Sequence, residues 1–280
     1  MTKKKTILLT GATGYIGRNF IEKYKDSYNI RPVDLRKTAP EAISFEAVDV
    51  VLHLAALVHQ RKKLPREQYV KVNTVLTERL ARCAKKNGVP QFVFYSTTAV
   101  YGSHGSLTER AVYRPDSPVN PRTLYAESKW LGEEILRQLE TEDFRVAILR
   151  PPMVYGPGCP GNMRRLEKLV KWCPLLPFNF TENKRTLVEI DKLLAVTRAV
   201  IDREMRGIFI PKDEKDVSIK EIVEGIAAAQ NINIRLFRLP DVLIRISGKI
   251  FPAEIESLYG DLRYEGEGGI ILRPFDQDAI

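Results

Sequence analysis

The stretch TILLTGATGYIG, residues 6–17, runs from a short apolar segment through three glycines into a helical pattern. Gly11, Gly14 and Gly17 let a tight turn close and let backbone N–H groups approach a pyrophosphate. The N-terminus of the helix that follows favours that negative charge. Tyr15 and Ile16 belong to the same loop and are expected beside the bound group. A glycine triplet alone is a weak signal; between a strand and a helix in the first βα unit it is a strong one.

Outward from this loop, β-rich runs alternate with helical patterns through the first 150 residues. The runs are TILLT (6–10), NIRPVDL (29–35), DVVLHLAA (49–56), QFVFYST (91–97) and RVAIL (145–149). Helical patterns fill roughly 15–25, 68–87 and 122–141, the second closed by Asn87-Gly88 and Pro90, the third opened by Asn120-Pro121. Continuous Val/Ile/Leu strands between helices predict a parallel sheet covered on both faces. After Arg150, Pro and Gly concentrate in RPPMVYGPGCPGN and WCPLLPFNF, with helices near 163–172, 190–202, 219–231 and 241–251. The reading is α/β: a Rossmann-like doubly wound sheet over 1–150, then a smaller C-terminal α/β substrate lobe over 151–280, threaded with the sheet's last strands.

The 280 residues carry a net charge of +9, but Lys and Arg are interleaved with Asp and Glu and no nucleic-acid module is present. A basic enzyme acting on phosphorylated small molecules accounts for the sign. No apolar run approaches the roughly 20 residues of a membrane span, so no membrane partner is expected. Cys83, Cys159 and Cys173 are scattered without metal-ligand spacing, which predicts no metal and a reducing, cytoplasmic setting.

Asp34 ends the second run, where a carboxylate accepts from a ribose 2′-OH and repels a 2′-phosphate. NAD is therefore the expected cofactor, with NADP left open by Arg36 and Arg18, either of which suits a 2′-phosphate. Tyr125 and Lys129 in YAESK stand four apart, on one helix face. A nearby ammonium favours tyrosinate and makes Tyr125 an acid/base near neutral pH. Thr97 in STTAVYG ends a central strand, where ligands of such sheets bind. His53, inside an apolar run, reads as a satisfied core group; His59 and His104 read as loop residues.

The order TGATGYIG, HLAA, STTAVYG, YAESK, RPPMVYGPG resembles the extended short-chain dehydrogenase/reductase family, closest to its nucleotide-sugar epimerase branch, over essentially the whole chain. The resemblance implies a Thr97–Tyr125–Lys129 triad, with Tyr125 and Lys129 also touching the cofactor and Thr97 the substrate. It implies dinucleotide contacts at Ala55 and Ala56, and a supporting Asn at Asn73. For the second lobe it implies diphosphate contacts at Asn162 and Arg185, and by analogy a homodimer through paired helices.

The chain also departs from that pattern. Only RKTAPEAISFEAV separates Leu35 from Asp49, too short for the helix–strand–helix passage that normally supplies a third strand. Val58 replaces the Lys of galactose epimerases, and Asp191 falls one position early, with Lys192 in its usual place. Thr98 and Ala99 stand where 4,6-dehydratases carry Asp-Glu, which argues against dehydration. The expected activity is NAD-dependent C4 epimerisation of a UDP-sugar. The alternatives are an NAD(P)H-dependent 4-ketoreductase of a UDP-4-keto-6-deoxy sugar and a non-catalytic dinucleotide-binding regulator. The presence of both Tyr125 and Lys129 disfavours the last.

Overall fold

The computed structural model describes residues 4–58, 64–102, 105–107, 110, 112–180 and 182–266; for 252–254 it describes the backbone alone. His59 and His104 lie outside the described residues.

Six parallel strands form the central sheet, in the order Gly207–Phe209, Arg145–Leu149, Gln91–Tyr95, Val50–His53, Thr6–Thr10, Asn29–Val33. Side chains of a strand alternate between faces, and both faces are apolar here. Ile7, Leu9, Leu52 and Val93 pack with Phe20 and Leu193 under the helices Tyr15–Tyr24 and Ile190–Asp202. Leu8, Val51, Phe92 and Phe94 pack with Leu80 and Leu136 under the helices Leu76–Lys86 and Leu124–Leu139. This double burial explains why the strands read as unbroken hydrophobic runs.

The abbreviated passage is real. From Asn29–Val33 the chain returns through one 3-10 turn, Pro40–Ala42, straight to Val50–His53. Asn29–Val33 is therefore an edge strand, which is where Pro32 is tolerated. The chain reverses direction across the sheet between Thr6–Thr10 and Val50–His53, which makes that crevice the switch point where such sheets bind ligands.

Three expectations about helices are corrected. The pattern over 68–87 is not one α-helix: Arg66–Val70 and Leu76–Lys86 flank a π-turn, Lys71–Val75. Asn120 does not cap the third helix. Thr123 does, its Oγ1 accepting from the Ala126 N–H at 3.1 Å, and the helix runs Leu124–Leu139. Beyond 241–250 a further helix, Pro252–Tyr259, opens with proline in its first turn, where the missing N–H costs nothing.

The second lobe has its own core, in which Met163, Val170, Leu176, Phe178, Val223 and Tyr259 come together. Asn162–Trp172 and Ile219–Ala229 are its main helices, the latter opened by a Ser218/Glu221 capping box. Ile190–Asp202 and Gly207–Phe209 leave this lobe and complete the central sheet. Tyr15 packs against both cores, so the glycine loop sits at the seam between them.

Candidate functional site

The loops at the C-terminal ends of three adjacent strands converge on the switch point. Gly11 follows the first strand with φ +75°, and a Cβ there would lie 2.7 Å from the backbone nitrogen of Ala55. A Cβ on Gly17 would lie 2.4 Å from the Gly11 carbonyl oxygen. The glycines therefore let the turn, the helix start and the Ala55–Ala56 segment close on one another. Gly14 is the N-cap of Tyr15–Tyr24, which has neither a side-chain cap nor an acidic residue in its first turn. Such an end presents N–H groups to an anion, and the set fits a dinucleotide diphosphate. Ile16 is half-buried in this first turn. The Tyr15 hydroxyl is instead buried without a hydrogen-bond partner, and burial pushes it up to about 12.

Asp34 lies one residue beyond the second strand. It accepts from the Arg36 backbone N–H at 3.0 Å and from its guanidinium at 2.9 and 2.8 Å. Those bonds hold the carboxyl down at about 2. The anion expected to read the ribose and the cation expected to compete with it thus form one exposed pair.

Thr97 is half-buried and caps the 3-10 turn Thr98–Tyr101, its Oγ1 accepting from the Ala99 N–H at 3.2 Å. That turn packs against the helix Leu124–Leu139, which carries Tyr125 and Lys129. Ser96 is buried and its Oγ has no partner, so of the two hydroxyls the accessible one is Thr97.

Lys129 is 1% exposed, and its Nζ stands 3.8 Å from the centre of the Phe94 ring. Burial lowers the ammonium to about 7, with Glu133 acting in the opposite direction. Burial also drives the Tyr125 hydroxyl up to about 12. The expectation that Lys129 holds Tyr125 low is thus corrected for the protein alone: burial raises the phenol, and Lys129 does not pull it down.

Beneath these residues lies a buried polar network. Asn73, on the π-turn, accepts from the Leu57 N–H at 2.7 Å and donates to the Leu57 carbonyl and to Ser128 Oγ, both at 2.9 Å. Ser128 Oγ donates to the Tyr125 carbonyl at 2.8 Å. His53 is fully buried, its Nδ1 2.7 Å from Thr10 Oγ1 and its Nε2 2.9 Å from Thr77 Oγ1. Burial first, and Lys129 second, lower it to about 3, so the imidazole is neutral. Arg150 and Glu133, both 0% exposed, form a bidentate pair, and Arg150 also donates to the Tyr101 hydroxyl at 2.7 Å. Sequence reading missed Thr10, Thr77, Ser128 and the Arg150–Glu133 pair. Only Ser128, inside YAESK, stood near a visible signal.

The two second-lobe candidates differ in their surroundings. Asn162 is exposed at the first turn of its helix, behind a Gly161 cap, and makes no capping bond. Arg185 donates to the carbonyls of Glu256 and Gly260 at 3.2 and 3.1 Å, tying down the end of the helix Pro252–Tyr259. Burial lowers the Arg185 pKa. A hollow lined by Glu142, Arg145, Glu204, Met205 and Arg206 opens at the opposite, N-terminal end of the sheet, away from every candidate. Among the described residues no group of three or more His, Cys, Asp or Glu is placed to hold a metal. None of the described helices is long and apolar enough to cross a membrane.

A glycine loop, a strand-end hydroxyl and a Tyr/Lys helix at the switch point define a dinucleotide-dependent enzyme of the short-chain type. The chain belongs to the NAD dependent epimerase/dehydratase family, whose model matches residues 7–203. It is 30% identical over 288 residues to a UDP-glucose 4-epimerase of Vibrio cholerae, covering 93% of this chain and 87% of the relative. It is 24% identical to an N-acetyl-alpha-D-glucosaminyl-diphospho-ditrans,octacis-undecaprenol 4-epimerase of Escherichia coli O157:H7, covering 87% of this chain and 81% of the relative. Among solved structures it resembles a dTDP-4-dehydrorhamnose reductase of Bacillus anthracis in complex with NADP. The TM-score is 0.72 at 18% identity, over 93% of this chain and 92% of that one, a likeness of fold.

Proposed function

We propose that the protein interconverts C4 epimers of a UDP-sugar with NAD, in the synthesis of a surface polysaccharide. The observation that supports the reading is the packing of the turn capped by Thr97 against the helix that carries Tyr125 and Lys129, in a chain 30% identical to a UDP-glucose 4-epimerase. Bound NAD supplies the hydride acceptor and a positive ring charge that favours tyrosinate. Tyr125 takes the proton of the C4 hydroxyl as the 4-keto sugar forms, and gives it back to the C4 oxygen once hydride has been returned to the opposite face of C4. Thr97 orients the C4 oxygen, and Lys129 holds the ribose and lends charge to the phenolate. Asn73 and Ser128 fix the helix that carries both. Gly11, Gly14, Tyr15, Ile16, Gly17, Ala55 and Ala56 line the dinucleotide, and Asp34 receives its ribose.

In the second lobe Asn162 is assigned to the diphosphate. Arg185 reaches the diphosphate by exchanging its carbonyl contacts. A homodimer joined through Leu124–Leu139 and the π-turn is supported by two apolar side chains exposed on those neighbouring elements, Leu124 and Val75.

The test is NMR of purified protein with UDP-glucose, UDP-galactose and their N-acetylated counterparts, with no reductant added. Appearance of the C4 epimer without net cofactor consumption is the expected result. No turnover there, with reduction of a UDP-4-keto-6-deoxy sugar by NADH or NADPH, overturns it in favour of the 4-ketoreductase. The relative from E. coli O157:H7 adds the same sugars on a polyprenyl diphosphate to the panel.

A further inference from the structure

The helix Asp241–Ile250 is anchored by one buried apolar side chain, Ile244, on its inner face. The opposite face is apolar and open: Val242 is 65% exposed, Leu243 49%, Ile246 50% and Ile250 64%, with Phe251 at 58% just beyond. At 3.6 residues per turn the first four fall within an arc of about 100°. That is a contiguous stripe rather than scattered exposed residues, and a stripe of this kind marks an interaction surface.

The charges beside the stripe identify what it meets. Residues 235–251 contain Arg235, Arg238, Arg245 and Lys249 against a single acid, Asp241. Asp241 is already paired with Arg238 at 3.2 Å. Arg245 and Lys249 lie together along one flank of the stripe, and among the described residues neither has a carboxylate within 4.0 Å. The helix Asn162–Trp172 of the same lobe repeats the composition, with Arg164, Arg165, Lys168 and Lys171 against Glu167 alone, and ends in Trp172 at 79% exposure.

We propose that the second lobe docks on an anionic lipid surface, with Val242, Leu243, Ile246, Ile250 and Phe251 entering the headgroup boundary and Arg245 and Lys249 facing lipid phosphates. An apolar stripe edged by unpaired cations is the pattern of a helix lying in the plane of a membrane interface. The docking is peripheral; none of the described helices is long and apolar enough to cross a bilayer. It does not depend on the catalytic assignment.

The experiment is flotation of the full chain with vesicles of about one part phosphatidylglycerol to three parts phosphatidylcholine, against phosphatidylcholine alone, at low and high salt. The protein is expected to float with the anionic vesicles at low salt and to be released by high salt. Arg245→Gln/Lys249→Gln is expected to lower partition about thirtyfold, at about 1 kcal/mol per cation near the surface. Ile246→Asp/Ile250→Asp is expected to abolish it. All four side chains are exposed, so an unchanged thermal unfolding midpoint certifies the fold of each variant. Equal behaviour with both lipids, or variants that float like the parent, overturns the proposal. So does a size-exclusion shift from dimer to monomer in Ile246→Asp/Ile250→Asp, which would show a second copy of the chain on this face.

Discussion

Asn73 and Ser128, 55 positions apart, are hydrogen-bonded at 2.9 Å. The bond joins the π-turn to the helix that carries Tyr125 and Lys129. The same Asn73 side chain closes a two-bond clasp on the backbone of Leu57. One side chain thus sets the distance between the segment after the third strand, where the dinucleotide is expected, and the acid/base helix. An extra residue in a helical turn is a common device at functional sites, and here it turns Asn73 to face both partners.

Asn73→Leu leaves the Leu57 backbone groups and the Ser128 hydroxyl without their partner. An orphaned buried polar group costs about 1–3 kcal/mol, so chemical denaturation should show a loss in that range. Ser128→Ala removes two bonds, the one from Asn73 and the one to the Tyr125 carbonyl, and should cost about 1–3 kcal/mol. NAD affinity, read by fluorescence titration, should fall further in Asn73→Leu than in Ser128→Ala.

Tyr125→Phe should lower kcat by about 10²–10⁴ while leaving NAD affinity and the unfolding midpoint near those of the parent. Lys129→Met should separate stability from activity. Lys129 takes up its proton at about 7 in the folded protein, against 10.5 ordinarily. Between those values the unfolded chain holds a proton that the folded chain lacks, so stability rises with pH across that window. Lys129→Met should flatten that slope, unfold at higher temperature at neutral pH and lose turnover.

His53 should impose a demand of the same sign at acid pH. Above 6.5 the ring is neutral in both states; below it the unfolded chain takes up a proton that the folded protein refuses until about pH 3. Stability should therefore drop by about 2 kcal/mol between pH 6.5 and pH 5, at about 1.36 kcal/mol per unit. Denaturant titrations of the parent and His53→Gln across that range test it, since the variant should lose this part of the slope.

Arg150→Met strips the buried Glu133 carboxylate of its bidentate partner and leaves it Arg137 at 3.6 Å, which should cost up to about 3–5 kcal/mol. Arg150→Met/Glu133→Leu should recover most of that loss, because neither charge then remains inside. A double mutant no more stable than Arg150→Met alone would show that the pair is needed for packing rather than for charge balance.

The exposed Asp34–Arg36 pair should set cofactor preference. Arg36→Ala frees the carboxylate and is expected to widen the preference for NAD over NADP; Asp34→Ala leaves Arg36 beside the ribose and is expected to reverse it. Competitive titration of both cofactors against each variant reads the ratio directly.

The fold was legible because its signals are local. The strand TILLT is buried on both faces, so its centre, Ile7, Leu8 and Leu9, had to be apolar, and the glycine loop sits where only close backbone approach is allowed. Thirteen residues between Leu35 and Asp49 left no room for another strand, and none formed. The helix Pro252–Tyr259 was missed because a two-turn helix is too short to carry a clear periodicity. The π-turn was missed because its sequence has the same period as its flanking helices; only the Asn73 partners distinguish it.

Spacing along the chain determined the βα order, the glycine loop and the shared helix face of Tyr125 and Lys129, since each depends on residues a few positions apart. Tertiary structure decided the protonation landscape. Burial raises Tyr125, lowers Lys129 and keeps His53 neutral, and it pairs Arg150 with Glu133. Desolvation depends on what packs around a group from distant parts of the chain, and spacing along the sequence does not specify that.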